Sequence, residues 1–482
     1  MNYALVITLL GRLMSLEAAM MLPALGVSLW YGRGDAPAFL CAMGILLLLG
    51  LPMMLLIKPT DKTLRPREGF VVVGLAWILF SAFGALPFMF SGATVYFWDA
   101  FFETVSGFTT TGATIFAQVE TLPRGILFWR SFTHWVGGMG VLILTLAVMP
   151  KMGARSAHLA RAESPGPTFS KMLPRMAGSA RILYLIYLVM TLILIVLLVI
   201  SGMPLFDSVI HALGTAGTGG FSSRNLSVGA YNNLAAEILI TVFMFLFGTN
   251  FIVYFRLIQG EGLKALRNEE VRLYYGVAIS SIVLITINTI PHYGEVGMAL
   301  RHASFQVSSI MSTTGYATSD FDLWPQFSRI LLLMLMLMGS CAGSTAGGIK
   351  MVRVALLGKL GVREVGRTVQ PRRVRLIKLD RETVDEDTLR SVLVFFVLYM
   401  AMLLAGTLLV SLDGVDYTTS FSATASCLSN VGPGLALVGP MANFGHFSSG
   451  IKYLLSFLML SGRLEFIPML VLFSPAVWRR GR

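Results

Sequence analysis

The sequence predicts an all-α integral membrane protein: two leading helices followed by four helix–loop–helix repeats. Three observations predict it. The 482-residue chain is 55% apolar and only 13% charged, with a mean hydropathy of +0.74, whereas soluble domains run about 45–50% apolar and roughly 25% charged. Its apolar runs approach the ~20 residues that cross a ~30 Å hydrocarbon core. Four of the connections between runs also carry one Gly/Thr/Ser-rich pattern, in register.

Ten spans are expected, near 4–30, 37–57, 69–90, 124–149, 182–202, 234–258, 273–291, 326–356, 391–411 and 450–474. The first is expected to persist as a helix, because no small-residue cleavage site follows it. Residues 1–60 hold the two leading helices. The repeats occupy 69–150, 181–260, 272–356 and 389–475, with a basic linker at 357–388 and a tail at 476–482.

The net charge of +12 is concentrated: 28 of the 37 Lys and Arg fall within 58–68, 151–181, 256–272, 350–390 and 479–482. Ten spans put all five segments and both termini on one side, which the positive-inside rule makes cytoplasmic. The basic balance therefore reads as topology and contact with anionic membrane lipids, not nucleic acid. Cys41, Cys341 and Cys427 lie far apart among small or apolar residues and suit neither a disulfide framework nor a metal site. No phosphate-cradling loop or dinucleotide fingerprint occurs, and no convergent His/Asp/Glu set lies in the spans. An enzyme is not expected, and any nucleotide control would come from a separate protein.

The four remaining connections, 91–123, 203–232, 292–325 and 412–448, are each about 30 residues long. Each opens with an apolar stretch too short to span the membrane and then turns Gly/Thr/Ser-rich, the form of a re-entrant segment. Fixed offsets place Gly112, Gly220, Gly315 and Gly432 in one column, and Ser106, Gly214, Ser309 and Ser426 in another. Irregular backbone at membrane depth is tolerated where it lines a water-filled path. Four loops around one pore would supply rings of carbonyls able to replace the hydration shell of a monovalent cation. Glycine permits the positive φ that aligns successive carbonyls, and the half-helix C-terminal dipoles favour a cation. The loop cores TTTGAT, GTGGFS, STTGYAT and NVGPGL carry no carboxylate, which argues against a divalent-cation cage. Asp99 and Glu103 share a face of the first half-helix and read either as a cation-concentrating outer mouth or as a solvated face.

The chain resembles the TrkH-type subunits of bacterial potassium uptake systems, in the superfamily shared with KtrB and the plant HKT transporters. The resemblance rests on REGF (67–70), GALPF (84–88), AFFETVSGFTTTGAT (100–114), GGMG (137–140), RAESPGP (161–167), GGFS (219–222), GSCAGSTAGGIK (339–350), NVGPGL (430–435) and GRLE (462–465). It implies a pseudo-fourfold pore, K⁺ uptake across the inner membrane, a homodimer and a cytoplasmic nucleotide-binding partner similar to TrkA. It places the K⁺ filter at Thr110, Thr111 and Gly112; Thr218, Gly219 and Gly220; Thr313, Thr314 and Gly315; and Asn430, Val431 and Gly432. The fourth loop departs most, because Pro433 follows its glycine and removes an N–H.

The span 326–356 is broken by GSCAGSTAGG. The stretch reads either as close helix packing at small-xxx-small spacing or as a flexible loop beneath the filter, similar to the family's intramembrane gating loop. The gate candidates are Gly339, Gly343, Ser344, Thr345, Gly347, Gly348 and Lys350, with Arg463 as a basic pore residue. A mid-membrane Arg costs ~2.5 kcal/mol or more, so Arg463 must face a cavity or a partner; a structural ion pair is the other reading. The rival function is a Na⁺- or H⁺-coupled secondary transporter of a small solute with a broken-helix site, against which four like loops argue.

Overall fold

Among the described residues, six helices are long and apolar enough to cross a membrane: Tyr3–Tyr31, Ala36–Leu55, Arg67–Phe90, Arg181–Ile200, Glu269–Tyr293 and Glu386–Asp413. They are the leading pair and the first helix of each repeat. The computed structural model describes residues 1–32, 34–59, 65–140, 176–372 and 376–478. The second half of the 124–149 span, most of the 151–181 connection with RAESPGP, and the end of the tail lie outside the described residues. The described chain is nearly all helix, with one short antiparallel hairpin, Lys378–Leu379 against Glu382–Thr383.

In the other four expected spans the described helices are interrupted. The last helix of every repeat is short: Arg124–Gly138, Leu234–Gly248, Gln326–Met338 and Ser449–Arg463, of 13 to 15 residues. At 1.5 Å per residue these reach only ~20–22 Å. An interruption is expected from sequence only at 326–356; the structure places one in all four repeats. The first helix stops at a Gly pair. The second bends by 90° at Thr249–Asn250 into Phe251–Ile258, with the Asn250 side chain accepting from Ile252 N. The fourth turns through Glu465 and Phe466, at φ 54° and 66°, into Ile467–Leu472.

Before each of these helices lies a buried half-helix: Phe97–Phe108, Leu205–Gly217, Val296–Met311 and Tyr417–Ser429. The packing is cyclic. The second half-helix lies on the last helix of repeat 1, the third on that of repeat 2, the fourth on that of repeat 3, and the first on that of repeat 4. The leading pair stands outside this ring. Tyr3–Met20 lies along Ala36–Leu55 so closely that a Cβ on Gly11 would come within 2.7 Å of Gly50 O, the close approach that small residues allow between membrane helices.

Between repeats 3 and 4 the helix Met351–Val369 runs through residue 356, the expected end of repeat 3, without a break. It leads to the hairpin, and both pack with the start of Glu386–Val410 in a separate apolar cluster.

Candidate functional site

Each half-helix ends in the same backbone turn. A left-handed non-glycine residue (Thr110, Thr218, Thr313 and Asn430, at φ 55–57°) is followed two positions later by a left-handed glycine: Gly112, Gly220, Gly315 and Gly432, at φ 81°, 79°, 82° and 101°. The residue between them donates its N–H five residues back in all four repeats: Thr111 to Ser106 O, Gly219 to Gly214 O, Thr314 to Ser309 O and Val431 to Ser426 O, at 2.8–3.0 Å. This bond caps an orphan carbonyl of the half-helix and turns the chain back out.

The four turns close into a ring. A Cβ built on Gly112 would lie 2.0 Å from Gly219 O, on Gly220 2.0 Å from Thr314 O, on Gly315 2.1 Å from Val431 O, and on Gly432 2.6 Å from Thr111 O. Each glycine thus abuts the carbonyl just before the next loop's glycine, in the order 1–2–3–4–1. All twelve sequence-expected filter residues meet here, and the four residues that begin the turns have no solvent exposure. The fourth loop keeps the shared turn despite Pro433. It differs in a φ about 20° larger at Gly432 and in the wider 2.6 Å approach.

On one side the ring opens to a cavity of about 110 Å³ lined by Gly112, Gly220, Gly315 and Gly432. On the other side are buried side-chain oxygens. Thr110 Oγ1 and Asn430 Oδ1 have no hydrogen-bond partner in the structure. Asn430 Nδ2 donates to Thr111 Oγ1 at 3.0 Å and Met459 O at 2.9 Å, closing the seam between the first and last loops. Among the described residues no group of His, Cys, Asp and Glu could hold a metal ion. The ring offers only neutral oxygens, a donor set suited to a weakly held monovalent cation.

The loop Gly339–Lys350 lies against this ring. Gly347 N donates to Thr313 Oγ1 at 2.8 Å, and a Cβ on Gly347 would meet Ser429 O at 2.3 Å. Positive φ at Gly339, Gly343, Gly348 and Lys350 (69–76°) keeps the segment irregular. Ser344 Oγ donates to Cys341 O, Thr345 Oγ1 is directed at Phe247 O, and Lys350 Nζ donates to Ala346 O. Gly248 O and Gly343 O accept from Cys341 N and Phe251 N, so the loop supplies partners that the bend in repeat 2 frees.

Arg463 spans the assembly. Its guanidinium donates to Thr345 O at 2.7 Å, Gly137 O at 2.5 Å and Gly138 O at 3.0 Å. The two glycine carbonyls are freed by the end of their helix, and a cation at a helix C-terminus is favoured. Glu465, two residues on, pairs instead with Arg353.

The acidic residues of the first half-helix are corrected as well. Neither forms a free, solvated face. Glu103 is fully buried and bonds Arg130 at 2.8 Å, with Thr114 Oγ1 and Ile115 N also donating to it; Asp99 pairs with Lys452 at 2.7 Å. Arg130 also reaches Thr114 Oγ1 and Ser222 O, holding the outgoing strands of loops 1 and 2 together. His211 Nε2 contacts Ser222 Oγ at 2.9 Å in the equivalent place of repeat 2.

Half-helices meeting in a ring of neutral oxygens, inside a bundle of membrane-length helices, define a multi-pass membrane transport protein. The TrkH family, described as cation transport protein, matches residues 37–290 and 281–480, and the chain belongs to this family of transporters, which are not enzymes. It is 38% identical over 485 residues to the Trk system potassium uptake protein TrkH of Salmonella typhimurium, covering 99% of this chain and all of the relative. The TrkH of Escherichia coli is 37% identical with the same coverage. The crystal structure of the potassium transporter TrkH from Vibrio parahaemolyticus superposes with a TM-score of 0.89 at 32% identity, covering 99% of this chain and 100% of that one.

Proposed function

We propose that the protein carries K⁺ across the bacterial inner membrane through the four-loop ring. The observation that carries the reading is the closed cycle of four left-handed glycines, each seated on the next loop's carbonyl. A K⁺ ion entering from the 110 Å³ cavity exchanges water for the carbonyls of Thr110–Gly112, Thr218–Gly220, Thr313–Gly315 and Asn430–Gly432. The unpartnered oxygens of Thr110 and Asn430 supply further ligands at the inner end. Four half-helix C-termini, each equivalent to about half a negative charge, stabilise the ion without a carboxylate that would hold it too tightly to leave.

Below the ring, the loop 339–350 obstructs the path as a gate. Arg463, bonded to that loop through Thr345 O, places a positive charge where a resident cation would pass. The relatives' names refer to a Trk system, which supports a working complex with a further subunit; in this reading that complex is a homodimer with a cytoplasmic TrkA-like nucleotide-binding subunit, and the positive-inside rule puts the basic segments and both termini on the cytoplasmic side.

The test is ion flux into vesicles of defined lipid bearing the purified protein. K⁺ and Rb⁺ are expected to enter and compete with each other, with Na⁺ far slower. Equal Na⁺ and K⁺ flux, or solute-coupled Na⁺ entry, would sink the proposal.

A further inference from the structure

We propose that Glu270 is the latch that holds the 339–350 loop in its closed position, and that the hairpin between repeats 3 and 4 is the handle that moves it. This rests on reading that loop as the gate.

Glu270 lies in the first turn of Glu269–Tyr293 and is 2% exposed. One of its oxygens, Oε1, accepts from Ala342 N at 2.6 Å and Val352 N at 3.1 Å. One N–H lies near the start of the irregular loop and the other in the first turn of the helix that follows it, so one carboxyl group ties both to the start of a third helix. Leaving buried N–H groups unpaired is costly. Nothing in the local sequence signals this role, because the donors are 72 and 82 residues further on.

The same helix start is gripped from the other side by the hairpin. Asp380 accepts from Asn268 Nδ2 and Glu269 N, both at 2.7 Å. Lys359 bonds Glu269 at 2.5 Å and Lys378 O at 2.7 Å. An apolar route runs in parallel: Ala342 of the loop packs in one cluster with Val352 and the hairpin residues Ile377 and Leu379. The hairpin turn, Asp380–Arg381, has positive φ at both residues, 50° and 70°. Two-residue hairpins of that shape favour Asn-Gly or Asp-Gly, so the Asp380 contacts hold a turn that the bare sequence disfavours. Glu270 and Asp380 are positioning residues; neither lies in the ring of filter turns.

The experiment is K⁺ flux through the full chain in lipid vesicles without any cytoplasmic partner. Glu270→Ala removes both acceptor contacts and is expected to raise flux at least about tenfold, the scale of leaving one buried N–H unpaired. Glu270→Gln keeps an oxygen acceptor and is expected to restore most of the closure. Asp380→Ala is expected to raise flux to a lesser degree, and adding it to Glu270→Ala should add little, because both act on one helix start. Parent-like flux from a well-folded Glu270→Ala protein overturns the latch; if that variant does not fold, parent-like flux from Asp380→Ala overturns the handle. Deleting 340–347 in parallel separates the two readings. A leaky deletion with a tight Glu270→Ala refutes the latch alone, whereas a tight deletion refutes the gate on which it rests.

Discussion

The most direct test of the ring is Gly112→Ser. The new Cβ would stand 2.0 Å from Gly219 O, whereas ordinary contact begins at 3.4 Å. Loop 2 must therefore retreat by about 1.4 Å, the difference of those two distances, more than the difference in ionic radius between Na⁺ and K⁺. The backbone at φ 81° adds a strain of roughly 1–2 kcal/mol for any side chain. A contact between a charged and a neutral polar group contributes roughly 1.5–3 kcal/mol. If half of one such contact differs between the two ions, preference for K⁺ over Na⁺ falls roughly four- to tenfold, since ~1.4 kcal/mol is one decade. The assay is the K⁺/Na⁺ permeability ratio in vesicles, with the melting temperature as a control for folding. The same variant at Gly432 meets Thr111 O at 2.6 Å, needs only about 0.8 Å of retreat by the same subtraction, and should lose less selectivity. An unchanged ratio for Gly112→Ser, or a larger loss at Gly432, would refute the reasoning.

Three further outcomes are expected. Arg463→Ala removes a cation bonded to the gate loop and to two helix-end carbonyls; partner-free K⁺ flux should rise about tenfold or more, ~1.4 kcal/mol or more of barrier, and a variant that merely fails to fold would favour a structural role. Arg130→Met strands the buried Glu103 and should cost ~3–5 kcal/mol, much of it recovered in the double variant Glu103→Leu/Arg130→Met; thermal unfolding of the two proteins decides. Asp416 caps the fourth half-helix through Thr419 N and its hydroxyl, and the Thr419 hydroxyl is the chief cause holding its carboxyl below the ordinary range. Its contribution is present above the unfolded carboxylate pKa of ~3.9 and fades as the pH falls through the lower folded value. Asp416→Ala should cost ~1 kcal/mol at neutral pH and abolish that acid-side dependence in a stability–pH series.

The register of the four loops was legible in the sequence because a left-handed turn packed on a carbonyl is a local demand that only glycine meets, and it repeats at fixed offsets. The breaks in the last helices were not, except at 339–350. Hydropathy averages over a window, and the Thr249–Asn250 interruption is only two residues long. The partners of charged groups were also hidden. Asp99 and Glu103 read as one face of a helix, yet their partners Lys452 and Arg130 lie 353 and 27 residues away, distances that no periodicity encodes. Glu270 was missed for the same reason.

The seam between Asn430 and Thr111 joins residues 319 positions apart, and the packing cycle closes only when Ser449–Arg463 meets the first half-helix. In a chain emerging from the ribosome, the ring cannot close before the last span has been made. Ring formation is a long-range event with a late clock. Chains cut short before residue 463 would leave the polar turns without their final neighbour.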